Sequence, residues 1–240
     1  GFISCMSFVA VGLSNAQAAE NGSGFYLLGS NASMAGTMPP PGTTLVSYDY
    51  YYTADASGRA ATSILLDQTG ARLDLEANTD LDAQVYIKLP GAMWVAPRKV
   101  LGGGFGLGIM APVGWQDISA DIDVRGTLTL PDGRTFNAGD RFSLSDDTFN
   151  FGDPVLLAFL GWNRGPWHWK LTGMLNVPIG AYDADAIANM GFNRWAFDAN
   201  AAVTWLDLAV GFEVSTLAGF TFNGENPDTD YETGTEFHLE

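Results

Sequence analysis

The stretch DLEANTDLDAQVYIKL, residues 74–89, sets Asp74, Glu76, Asp80 and Asp82 at even positions, close enough in sequence to share a cation or exchange a proton. Lys88 follows on the same parity. Leu75, Ala77, Leu81, Ala83, Val85, Ile87 and Leu89 hold the other parity, so the carboxylates occupy the polar face of one long strand. A metal cage needs ligands that converge, whereas this regular alternation suits a sheet wall. Glu225, Asp228, Asp230 and Glu232 also offer hard oxygen ligands, but without EF-hand spacing, and read as solvated loop charge.

Other chemistries find less material. Neither His168 nor His238 has a neighbouring serine or cysteine to make a triad, and no G-x-S-x-G elbow occurs. One cysteine, Cys5, and two histidines leave little for zinc. Gly106-x-Gly108-x-x-Ala111 is a loose dinucleotide fingerprint, but Pro112 and a period-two pattern stand where the phosphate-binding helix belongs. The 27 acidic residues against 11 basic ones argue against a nucleic-acid partner, which needs a basic stripe. No catalytic, cofactor-binding or metal-binding residue is expected, and the chain reads as a non-enzyme.

The elements that must carry these residues are strands. PWHWKLTGMLNVPIGAY sends Trp167, Trp169, Leu171, Leu175 and Val177 one way and His168, Lys170, Thr172, Met174 and Asn176 the other. Residues 193–206 and 209–223 repeat that grammar, with aromatics at the ends. These segments reach the roughly 9 to 11 residues that a tilted membrane strand needs, where soluble strands average about five or six. Short connections at 97–99, 163–166 and 206–208 alternate with long polar ones at 55–73, 117–148, 183–193 and 223–231. Short inner turns and long outer loops are the rhythm of an antiparallel transmembrane β-barrel, which predicts an apolar parity facing lipid and a polar one facing a lumen.

At the N-terminus an uncharged apolar run ends in Ala16-Gln17-Ala18, which predicts a signal peptide over residues 1–18. Residues 19–42 are Gly/Ser/Pro-rich and irregular, suited to a periplasmic or plug segment, and the barrel is expected over 43–240. Glycines at 102, 104, 106, 108 and 114 leave one strand face nearly bare, which suits plug packing, curvature or a ligand.

MPPPG at 38–42 with a Tyr-rich strand after it, then GDPVLLAFLGWNRGPWHWKLTGMLNVPIGAYD, GFNRWAFD and GFTFNGENPDTDYETGTEFHLE, resemble the MetA-pathway phenol-degradation family over most of residues 24–240. The resemblance implies a Gram-negative outer-membrane barrel associated with uptake of small hydrophobic or aromatic compounds, with lipid and such solutes as partners. It also implies strands beyond Glu240, so that a full barrel would count about 12. It carries no binding residues with it. On the alternation alone, Asp74, Glu76, Asp80 and Asp82 are expected to line the outer half of the lumen and Lys88 its periplasmic mouth. Lys170, Arg194, Asp198 and Glu213 would join them in a paired network, His168 would pack in the lumen, and Met110, Leu156, Leu160 and Trp162 would form an apolar solute patch.

Overall fold

The computed structural model describes residues 24–31, 33–66 and 71–240; the expected signal peptide lies outside them. Every named element is a strand. They are β1 (Gly42–Leu66), β2 (Ala71–Val95), β3 (Gly104–Met110), β4 (Val113–Thr129), β5 (Thr135–Phe151), β6 (Val155–Arg164), β7 (Trp167–Asn176), β8 (Ala196–Asp207), β9 (Phe212–Asn223), β10 (Glu225–Asn226), β11 (Tyr231–Glu232) and β12 (Glu236–Leu239). All but the small β10–β11 hairpin belong to one antiparallel sheet.

Prolines explain why two of its staves are split, since proline cannot donate to a ladder. β3 and β4 lie end to end along β2, with Met110 opposite Gly91 and Val113 opposite Lys88, and part only at Ala111 and Pro112. β6 and β5 continue each other in the same way along β3 and β4, parting at Gly152, Asp153 and Pro154, where one extra residue makes a bulge. Gly152 N–H still donates to Pro112 C=O at 2.9 Å across the break. The sheet is therefore a meander in which each stave pairs with the next in sequence. It does not close among the described residues: β1 pairs only with β2, and β12 only with β9.

Two expected loops are strands. Residues 55–66 and 71–73 continue β1 and β2, and residues 117–129 and 135–148 belong to β4 and β5. Their period-two alternation persists, so the ladder persists. At about 3.3 Å per residue β1 and β2 run for about 80 Å. Of the three tight turns expected, the one at 163–166 is found at 165–166, while the first widens to 96–103 and the third falls at 208–211 rather than 206–208.

Residues 24–41 pack against one face of this sheet, the inner face. Tyr26 and Ala35 join Ala202 and Leu217 in one buried cluster, and Phe25 joins Val155 and Ala196 in another. The opposite, outer face exposes Leu107, Ile109, Leu171, Phe197, Val214, Phe220 and Phe222.

Candidate functional site

The N-terminal segment descends the inner face from the long-loop end to the tight-turn end, held by side chains of the wall. Tyr26 stacks on His238, ring centroids 3.7 Å apart and 9° from parallel. His238 Nε2 lies 2.6 Å from Asp198 Oδ2, and the fully buried Asp198 also accepts from Asn200 Nδ2 at 2.7 Å and Thr221 Oγ1 at 2.8 Å. Lower down, Glu213 accepts from Met34 N–H at 2.9 Å and Ser33 Oγ at 3.2 Å, and Gly36 N–H donates to Thr204 Oγ1 at 2.9 Å. Gly36 is required where it stands: a Cβ there would lie 2.7 Å from His168 C=O and from Thr204 N. Met38 then lies over Gly104 and Gly161, so the bare strand face makes room for the N-terminal segment at Gly104.

Above this clamp lies an apolar slot. Phe25, 5% exposed, is packed with Val155 and Ala196, and Met110, Leu157, Met174 and Phe192 surround that cluster. Phe192 comes from the connection 177–195, of which 183–193 was expected as an outer loop and the rest as strand. That loop folds inward instead: Met190 and Ala188 are buried, and Asp146 accepts from Ile187 N–H and Ala188 N–H at 3.1 Å each. Asp153, aimed inward by the bulge, accepts from Gly180 N–H and Phe192 N–H at 2.7 Å and from Asn176 Nδ2 at 2.9 Å. Asn176 Nδ2 also reaches Arg194 C=O at 2.9 Å, while Asn176 Oδ1, fully buried, has no partner among the described residues. Arg194 is itself buried, its guanidinium 5.0 Å from the Phe192 ring centroid. The arrangement holds one flat apolar ring, that of Phe25, against Val155 and Ala196, the two cross-strand partners of Asn176.

The register separates the expected lumenal residues into two sets. Met110, His168, Lys170, Arg194, Asp198 and Glu213 are on the inner face or at its rim, although Asp198 pairs with His238, a partner the alternation did not reveal. Asp74, Glu76, Asp80, Asp82 and Lys88 are on the outer face, contrary to expectation. The pairing Gly91 to Met110 puts the odd positions of β2 inside, so its even positions share the face of Leu107 and Ile109. Leu156, Leu160 and Trp162 are outside as well, opposite Leu175, Leu171 and Trp169, and form no inner patch. The reason is that alternation distinguishes two faces without saying which is concave, and above an apolar band the outer face becomes the polar one.

That change of character is sharp. Tyr51, Tyr86, Trp115 and Phe149 are direct cross-strand partners and form an outer aromatic row. Beyond the row the outer face carries Asp82, Asp80, Asp121, Asp123 and Asp147, while Leu73, Leu75, Val124, Leu128, Phe136 and Phe142 line an inner groove of about 640 Å³. Just below the row an exposed ion pair, Lys88 Nζ to Asp49 at 2.9 Å, lies on the outer face. Phe25, Asn176, Asp153 and Phe192 were missed as site residues. The signals available were Asn176 at the end of a polar parity and an Asp-Pro break in an apolar run.

Residues 54–240 match the model of a family described as "Putative MetA-pathway of phenol degradation". No curated protein and no solved structure matches the chain.

Proposed function

We propose, from the premise that this chain belongs to the MetA-pathway of phenol degradation family, that it is an outer-membrane β-barrel channel which passes small hydrophobic or aromatic compounds by diffusion. The observation that carries the reading is the outer face of β6 to β9. Trp167, Leu171, Phe197, Val214 and Phe222 are each about half exposed there or slightly less, a continuous apolar surface too large to be left in water. Strands of 10 to 12 residues match the hydrocarbon thickness, about 30 Å, when tilted. The row Tyr51–Tyr86–Trp115–Phe149 supplies an interfacial girdle, with the acidic faces above it in water.

Solutes would enter between the projecting hairpins, whose inner faces are apolar, reach the slot around Phe25, and leave past the plug at the tight-turn end. No bond is made or broken. The buried Asp198–His238 pair does not argue for hydrolysis, because Thr221 donates its hydroxyl proton to Asp198 rather than to His238. A structural or adhesive barrel without transport is the second reading, favoured by the long acidic hairpins standing clear of the apolar band.

The test is tracer flux into vesicles holding the full chain, measured above protein-free vesicles. Phenol is expected to enter faster than a polar solute of equal size. Equal rates would remove the hydrophobic-compound channel, and no flux of either would favour the adhesive reading.

A further inference from the structure

One apolar slot on the inner face is filled by the protein's own Phe25. Phe25 places a lone benzyl ring among Val155, Leu157, Ala196, Met110, Met174 and Phe192. The two methionines can reshape around a ring and make sulfur–aromatic contacts. Asn176 is the direct cross-strand partner of both Val155 and Ala196, two walls of that slot, and lies on the same face. Its amide cannot flip to find a partner, because Nδ2 already donates to Asp153 Oδ2 and to Arg194 C=O, and a flip would set oxygen against two acceptors. Oδ1 is left buried with an unused lone pair, which native interiors seldom tolerate without a reason.

We infer that Phe25 is a tethered stand-in for the transported molecule: a single-ring aromatic carrying one hydrogen-bond donor displaces the Phe25 side chain and donates to Asn176 Oδ1. Phe25 supplies the ring and lacks the donor, so the occupied slot is filled but unsatisfied. A hydroxylated ring satisfies both. The plug remains anchored meanwhile at Glu213 and Thr204, below the slot, so entry of solute needs only the residues around Phe25 to lift. This assignment rests on the channel reading above and names the solute class of the same path.

Equilibrium dialysis of phenol and of fluorobenzene, which matches phenol in size and has no donor, against the full chain in matched detergent tests it. Phe25→Ala removes the competing ring and is expected to bind phenol about tenfold more tightly than the unaltered chain, as loss of a self-occupied state requires. In that variant phenol should be preferred to fluorobenzene by about tenfold, the worth of one buried hydrogen bond, and Asn176→Ser should reduce the preference to near unity. Phe25→Leu, which keeps the slot filled, serves should Phe25→Ala fail to fold; it is expected to bind phenol more weakly than Phe25→Ala and more tightly than the unaltered chain. Phenol binding that Phe25→Ala or Phe25→Leu leaves unchanged, or equal binding of the two probes, overturns the assignment. Tighter binding without phenol flux would sink the channel reading and leave the site standing; flux that Phe25→Ala leaves unchanged, with unchanged binding, would do the reverse.

Discussion

In β8 buried and exposed residues alternate without a break from Ala196 to Thr204, whereas β5 is exposed along most of its length. Both are strands in one sheet and both alternate in sequence. The difference is what each has to pack against. The wall of β6 to β9 encloses the N-terminal segment and the loop 177–195, so its inner residues Asn176, Asp198, Thr204, Leu217 and Thr221 are almost wholly removed from solvent. Beyond Asp146, where the loop 177–195 touches β5, the tall hairpins have only their neighbouring strands, held by backbone ladders and by exposed pairs such as Arg59–Glu76 at 2.9 Å and Arg72–Asp74 at 2.7 Å. Polar groups in the wall are thus committed to single partners, and those on the hairpins remain largely hydrated.

That contrast predicts unequal responses to similar substitutions. The largest effect belongs to Asp198→Ala, which strips partners from Asn200, Thr221 and His238 at once. Loss of about 3–5 kcal/mol is expected in urea unfolding from lipid vesicles, while Asp80→Ala on the hairpin stays within about 0.5 kcal/mol. Comparable losses for the two would break the comparison. Next comes Leu171→Arg, midway along the outer face of β7: if that face meets lipid, about 2–4 kcal/mol is lost, and Ser119→Arg, on the outer face above the aromatic row, should change little by the same measurement.

Gly36→Ala is expected to cost about 1–3 kcal/mol by overpacking against the His168 and Thr204 backbone. Faster labelling of a cysteine introduced at Ser33 would register the loosened N-terminal segment. The smallest effect is in the hairpin. Asp82 faces Asp55 directly, and that neighbouring carboxyl, with slight desolvation second, raises the pKa of the exposed Asp82 above its ordinary value. A raised carboxyl favours the fold while it is protonated, so this contribution is present in acid and is lost as pH rises through the raised value. Asp82→Asn should therefore slow hydrogen exchange across 55–82 near neutrality and make no difference in acid; an acid-only effect would reverse the sign and refute it.

The legible part of the molecule was the wall. Strands, tight turns and the polar parity of β7, β8 and β9 followed from alternation, because one apolar parity there continues unbroken between aromatic ends. The projecting hairpins were misread twice, as loops and then inside out. Polar composition at 55–73 and 117–148 suggested loops, yet cross-strand pairing keeps extended backbone in register whatever the side chains. The inversion has a different cause. Along the β3–β4 stave apolar residues face outward at Leu107 and Ile109 and inward at Ile122 and Leu128, so apolar parity changes meaning partway along it.

The amino-acid sequence by itself determined an all-β meander and its family, since period-two patterning and turn chemistry are local properties of the chain. Only the tertiary structure decided which face is inner, because that depends on the register across neighbouring strands and on where residues 24–41 lie. The same holds for the slot. Phe25, Met110, Asn176 and Phe192 are far apart in sequence, and only the fold brings an aromatic ring, adaptable methionines and an unused acceptor to one place.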